Sequence, residues 1–277
     1  MSDQIVKIEG SVIQHGPFND RVYLMKLVPE EPEHVLSVIE EIAHENEYSK
    51  IFSKVPESAK ELFLKNGHIE EANIPEFFNG HENASFMAKY LKEQRRIEAD
   101  PGKRNDVLKI ALSKCDTPTR TELSEGEECI LCTEKEAAEM AALYKQVFPS
   151  YPFPIYDPDY LISTMSEDFV YFGIKKKGKI VALSSCEMDP YNSNVEMTDF
   201  ATLPEARGRG YSYSLLEEME KEMKNRGIRT AYTIARSVSY GMNITFSRFS
   251  YTYAGTLINN TNISGGIESM NVWYKKI

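Results

Sequence analysis

Apolar and polar positions along this chain fall into two periods, and the switches between them predict its elements. Residues 5–15 and 22–27 carry strand-like apolar positions on either side of Gly16-Pro17-Phe18-Asn19-Asp20, which predicts a hairpin. Val35, Leu36, Ile39 and Ile42 recur at helical spacing within 31–46. A strand over 48–55, a helix over 57–66 and strands near 68–74 and 83–88 follow, and 89–115 reads as helical, interrupted at Asp100-Pro101-Gly102. Residues 116–128 are polar, hold Pro118 and Gly126 and lack apolar periodicity. They predict a linker between an N-terminal α/β domain of residues 1–115 and a second domain of residues 129–277.

In the second domain the pattern predicts a strand at 129–133, a helix at 134–148 and a structured loop rich in Pro and Tyr at 149–160. Strands at 169–175, 179–188 and 195–202 come next, then a helix at 207–226 stopped by Gly227. A strand at 228–235, a helix at 239–249 and strands near 251–258 and 268–275 complete it. The fold class is α/β, with a mixed (α+β) sheet. A helix-then-strand unit recurs: Phe63-Leu64-Lys65-Asn66-Gly67 before 68–74 echoes Phe246-Ser247-Arg248-Phe249-Ser250 before 251–258, as two related halves would.

Composition narrows the partners. No stretch approaches the roughly 18 apolar residues of a membrane span. The N-terminal MSDQIVKIEG has no apolar signal core, and four cysteines in 277 residues are no disulfide framework. These features predict a cytoplasmic protein without a membrane partner. The net charge of −10 is uneven: residues 129–277 hold 16 Lys and Arg against 17 Asp and Glu, a net −1, which leaves −9 in residues 1–128. Neither half offers the basic surface of a nucleic-acid binder, and the acidic balance suits a cationic small substrate. Oligomeric state is left open.

The stretch 194–227 carries the chemistry. A strand, VEMTDFATL, runs through Pro204-Glu205-Ala206 into Arg207-Gly208-Arg209-Gly210-Tyr211-Ser212, which opens a long helix. Glycines let backbone approach a phosphate closely, the free N–H groups of a first helical turn point at it, and two arginines add charge. Here the sequence resembles the GCN5-related N-acetyltransferase superfamily, whose phosphate loop reads Arg/Gln-x-x-Gly-x-Gly/Ala. Arg207, Gly210 and Ser212 fall on those positions, Ser212 departing from the usual small apolar residue. The resemblance implies acetyl-CoA as cosubstrate and no metal. It places the pyrophosphate on Arg207, Gly208, Arg209, Gly210, Tyr211 and Ser212, and the pantetheine arm along Phe200, Ala201, Thr202 and Leu203. YSKIFSKVP (48–56), GHIEEANIPEFFNG (67–80), FMAKYL (86–91), GMNITF (241–246) and GGIESMNVWYK (265–275) are similar to the β-lysine N-acetyltransferases. That similarity implies the N6 amine of β-lysine as acceptor and N6-acetyl-β-lysine, a compatible solute, as product. The fold alone would equally admit another small amine or a protein lysine, or an acyl-CoA-sensing module without catalysis. The helix-strand echo at 57–74, with no such loop in residues 1–115, predicts a degenerate acetyltransferase-like first domain without its own CoA site.

Acetyl transfer needs a neutral amine, but a lysine-like amine has a pKa of about 10.4, so a base or desolvation must remove a proton. All five histidines precede residue 82, which leaves Glu196 and, second, Asp199 as candidate bases. Three apart on a regular strand, they should face opposite sides. Some superfamily members place a glutamate base at the position of Glu196. Many relatives place a tyrosine, acid to the departing thiolate, where this chain has Phe246, so Tyr240, Tyr251 and Tyr253 are the substitutes. Asn243, one turn earlier, is within reach of pantetheine or has a local helix role. Arg236 is a candidate to hold the acceptor carboxylate. Cys129-Ile-Leu-Cys132 has metal spacing but no second pair in its half, and Lys175-Lys176-Lys177 with Lys179 reads as a solvated hairpin tip.

Overall fold

The computed structural model describes residues 3–28, 30–115, 117 and 121–277. Part of the predicted linker, residues 116 and 118–120, lies outside them. The first predicted strand is two strands. Glu9 and Gly10 both adopt left-handed backbone (φ 48° and 88°), a pair that closes a tight hairpin between β1 (Gln4–Ile8) and β2 (Ser11–Gly16). Next come β3 (Arg21–Lys26), α1 (Pro32–Glu45), β4 (Lys50–Pro56), α2 (Glu57–Lys65), β5 (Ile69–Phe78) and β6 (Glu82–Tyr90). Only part of 89–115 is helical. Asp100 caps α3 (Pro101–Leu112) by accepting from the Lys103 N–H, and a residue before proline disfavours helix. Upstream there is only a short 3-10 turn, Glu93–Arg96, anchored by buried Arg95, whose guanidinium donates to the Asn259 carbonyl at 2.7 Å and the Asn19 carbonyl at 2.8 Å.

The second half runs β7 (Glu127–Leu131), α4 (Ala137–Val147), α5 (Pro158–Met165), β8 (Phe169–Lys176), β9 (Lys179–Asp189), β10 (Asn194–Thr202), α6 (Tyr211–Asn225), β11 (Thr230–Arg236), α7 (Tyr240–Arg248), β12 (Thr252–Ile263) and β13 (Gly266–Lys276). Helix α5 was not expected; it starts where Asp157 caps and Pro158 takes the first turn. Residues 207–210, read as helix, are instead the loop that leads into α6.

Among the described residues thirteen strands form one mixed sheet in the order β1-β2-β3-β4-β6-β5-β12-β13-β11-β10-β9-β8-β7. The run β1-β2-β3-α1-β4-α2-β5-β6 has the same connectivity and pairings as β8-β9-β10-α6-β11-α7-β12-β13. Each has one parallel pair, β3 with β4 and β10 with β11, and each ends in an antiparallel hairpin. The echo at 57–74 and 239–258 thus extends over eight elements. The two runs meet edge to edge where Gly255 pairs with Ala72.

Alternation along the strands sorts the cores. Val195, Met197, Ala231 and Trp273 pack under α6, and Val22, Leu24, Ile51 and Val55 pack under α1 and α2. The opposite face of β3 and β4 brings Tyr23 and Phe52 into a core with Tyr232, Met270 and Val272 of the second half. The sheet therefore bends so that its halves face each other. Helix α3 packs on α7, with the Ser247 hydroxyl donating to the Ala111 carbonyl at 2.6 Å. No helix among the described residues is long and apolar enough to cross a membrane.

Candidate active site

Strands β10 and β11 pair only from Asn194–Thr230 to Glu196–Tyr232, yet they continue to Thr202 and Arg236. They diverge beyond that point, and a cavity of about 510 Å³ fills the opening, running from residues 207–212 past Phe200 and Thr233 to Asp199, Tyr151 and Met270. On the β10 edge the Leu203 N–H is taken by Val181 of β9, so the Thr202 amide faces the opening.

At one end of the cavity Gly208 and Gly210 have φ of 77° and 81°, a left-handed conformation that favours glycine. Gly210 caps α6, and the first N–H groups of that helix have no intrahelical acceptor, which makes an anion cradle. A Cβ on Gly208 would meet no protein atom within 4 Å, so the outer side of the loop is open to a ligand. The Arg207 Nε donates to the Thr202 carbonyl at 3.3 Å, which folds that side chain over the mouth of the splay. Tyr211 and Ser212 offer the cradle their backbone: the Tyr211 hydroxyl donates to Glu127 at 2.6 Å, and the Ser212 and Thr245 hydroxyls are 3.1 Å apart. These features fit the diphosphate and extended arm of a CoA thioester.

At the other end the structure corrects the expectation for Glu196 and Asp199. The β9–β10 register slips between Thr198 and Ala201, and Asp199 takes left-handed backbone, φ 56°. This bulge inserts a residue and turns Asp199 onto the face that carries Glu196. The Asp199 carboxylate accepts from the Ser185 hydroxyl at 2.5 Å and from Tyr151, and Ser185 lies opposite Thr198 on that same face. Glu187 lies directly opposite Glu196. One sheet face thus carries three carboxyls. Burial, then Glu187, pushes the Glu196 carboxyl up to about 8, against the pull of Lys54 and a hydrogen bond from Tyr232. Burial also raises Glu187 and Asp199.

Residues 137–240 match the acetyltransferase (GNAT) family. The chain is 44% identical over 273 residues to the β-lysine N(6)-acetyltransferase of Methanococcus maripaludis, covering 99% of this chain and 98% of that protein. It is 31% identical to the β-lysine N(6)-acetyltransferase of Methanosarcina mazei, over 88% of this chain and 97% of that protein. It is 30% identical to N-acetyltransferase YodP of Bacillus subtilis, over 96% of each.

The chain belongs to the GNAT acetyltransferase family.

It is an acetyl-CoA-dependent N-acetyltransferase. The other sequence-predicted residues of this acetyltransferase are placed as follows. Tyr240 faces away from the splay, its hydroxyl donating to Asp106 of α3 at 2.5 Å. Buried Asn243 donates to the Arg236 and Ser239 carbonyls and accepts from Asn271 and the Trp273 indole, at 2.8–2.9 Å, so its hydrogen-bonding capacity is used locally. Phe246 lines the cavity and meets Phe200 edge to face. The Tyr253 hydroxyl lies 2.6 Å from that of Thr256, and buried Tyr251 packs against Phe246. Arg236 lines the cavity and is held by both oxygens of Glu268, at 2.6 and 2.8 Å. Among the described residues no group of three or more His, Cys, Asp or Glu is placed to hold a metal ion.

Sequence reasoning missed Tyr151, Glu187, Tyr232 and Lys54. Tyr151 sat in a stretch read only as loop. Glu187 was one acid among many until β9 registered against β10, and Lys54 belongs to the other half.

Proposed function

We propose that the enzyme moves the acetyl group of acetyl-CoA to the N6 amine of β-lysine, making N6-acetyl-β-lysine as a compatible solute in the cytoplasm. The observation that carries the reading is the splay, whose cavity runs from the anion cradle to Asp199, on the sheet face that also bears Glu196 and Glu187. Two relatives named as β-lysine N(6)-acetyltransferases, matched over most of their length, support the acceptor. A carboxyl-rich sheet face at that end of the cavity suits a substrate that arrives with two ammonium groups.

The cosubstrate brings an activated acetyl thioester, and the chain supplies the rest. Glu196 accepts the amine proton, directly or through water; a carboxyl near 8 is a base matched to near-neutral operation. Asp199, braced by Ser185 and Tyr151, holds the incoming ammonium at the end of the cavity. An amide of the β10 edge stabilises the thioester oxyanion. The α7 hydroxyls are committed elsewhere, Tyr240 to Asp106, Thr245 to Gly241 and Ser247 to Ala111, so the departing thiolate meets no acid from that helix. Transfer is direct, within a ternary complex. Cys186 is buried on the α6 face beside Met197, on the other side of the sheet from Glu196. The first half is a degenerate copy of the same fold without its own acetyl-CoA site. Its loop between β3 and α1 reads Leu-Val-Pro-Glu-Glu, acidic and without glycine.

An acceptor screen with acetyl-CoA, following free thiol and product mass, tests the reading. β-Lysine should give the highest kcat/KM and a product acetylated at N6. A clear preference for a polyamine or a peptide lysine would replace the acceptor, and acetyl-CoA binding with no turnover on any amine would make the protein a sensor. Glu196→Gln should lower kcat by about 10²–10⁴ with acetyl-CoA affinity retained. Near-normal turnover would move the proton transfer elsewhere.

A further inference from the structure

Lys54 lies on β4, in the half that carries no cradle. Alternation on β4 sends Ile51 and Val55 under the first half's helices and Phe52 into the core between the halves, and Lys54 shares the Phe52 face. Its ammonium reaches across that core and donates to the Tyr232 hydroxyl at 2.9 Å, lying 5.2 Å from the centre of the Tyr232 ring and 5.7 Å from that of Phe77. Tyr232 is buried on β11, at the last pair before the splay, directly across from Glu196. With its oxygen accepting from Lys54, the Tyr232 O–H is free to donate to Glu196, and that hydrogen bond favours the carboxylate. The order is ammonium to phenol to carboxylate, linking the first half to the candidate base.

The groups facing Glu196 make the need for a cation plain. Glu187 faces it from β9, Asp199 from its own strand, Tyr232 from β11 and Tyr23 from β3, with Tyr151 beyond. Two of these are acids, three are phenols, and Lys54 is the cation acting on both Glu187 and Glu196. Without Lys54 the pair of glutamates would hold a proton to higher pH.

We propose that Lys54 is a positioning residue for the acetyl transfer, donated by the first half. It orients Tyr232 and, through it, aims Glu196 at the acceptor amine while favouring the carboxylate form. The proposal rests on the reading of Glu196 as the base. It gives the degenerate half a part in the reaction beyond covering an apolar face.

Four variants separate this from a purely structural role: Lys54→Met, Lys54→Arg, Glu196→Gln and the double variant Lys54→Met/Glu196→Gln. Each is first checked for a cooperative melt and wild-type acetyl-CoA affinity, and kcat/KM for β-lysine is then followed against pH. In Lys54→Met the acid limb should move up by about one pH unit or more, which is a roughly tenfold loss at pH 7 that shrinks as pH rises. Lys54→Arg should restore much of the wild-type profile. Lys54→Met should cost little further in the Glu196→Gln background, because the base it serves is gone. An equal loss at every pH, or full additivity in the double variant, would overturn the proposal while leaving Glu196 as the base. Near-normal turnover in Glu196→Gln would instead remove the reading on which it rests. Should Lys54→Met fail to fold, the comparison passes to Tyr232→Phe, which keeps the ring and removes the hydroxyl; an unmoved acid limb there overturns the proposal equally.

Discussion

Glu196 of β10 lies directly opposite Glu187 of β9, two carboxyls paired across an antiparallel ladder on the face that lines the gap between the halves. Like charges so placed are destabilising when both ionise, and burial adds to the cost.

This pair sets a pH dependence of stability. The Glu196 carboxyl titrates at about 8 in the folded chain against an ordinary 4.5, so between those values the folded state holds a proton that the unfolded state has lost. The resulting stabilisation is complete below pH 4.5 and disappears as pH rises through 8. His68, lowered to about 4 by burial, works in the opposite direction only below 6.5, and Lys50, lowered to about 8 by burial, only above 8. Melting temperature of the ligand-free protein should therefore fall from pH 6.5 to 8, and Glu196→Gln should flatten that fall. An equally steep fall in the variant would place the linked proton on another group.

The cradle predicts a separation of binding from folding at Gly208. An added methyl meets no protein atom, so Gly208→Ala costs only left-handed strain, about 1–2 kcal/mol. If the loop is the diphosphate cradle, calorimetry should nevertheless show weakened acetyl-CoA binding in a folded protein, because the methyl would fill the open side of the loop. Unchanged affinity would put the diphosphate elsewhere.

Asn243 predicts the reverse. Asn243→Ala strips partners from Asn271, the Trp273 indole and two carbonyls, at on the order of 1–3 kcal/mol for each buried group left unpaired. Chemical denaturation should show a large loss of stability, while acetyl-CoA affinity of the folded fraction stays near wild type. Loss of affinity without loss of stability would give Asn243 a direct contact with the ligand instead.

Gly255 predicts how the halves depend on each other. Its φ is 151°, and a Cβ there would lie 2.1 Å from the Glu71 carbonyl oxygen and 2.7 Å from the Ala72 Cα, both backbone atoms that cannot give way cheaply. Gly255→Ala should destabilise the whole chain and reduce activity even though residue 255 is absent from the cavity lining. Wild-type melting and turnover would show that the β5–β12 seam is not needed to hold the acceptor face together.

The sequence by itself determined most elements and the cradle. Helical and strand periods, the stop at Gly227 and the Arg207–Ser212 loop are local matters of spacing and backbone freedom, and they stand where the pattern put them, save that the cradle is loop before α6 begins. The misplacements have local causes as well: a tight Glu9-Gly10 turn inside an unbroken apolar alternation, and an Asp157-Pro158 start hidden in a segment rich in proline. What only the tertiary structure decided is which side chains share a face. A strand read alone puts Glu196 and Asp199 on opposite sides; the bulge that brings them together exists only in register against β9. Likewise nothing local marks Lys54, whose meeting with Tyr232 depends on a bent sheet that carries β4 across to β11. Local chemistry wrote the arginine–glycine loop, while the acidic face was assembled from strands distant in sequence, where register and curvature set the distances between charges.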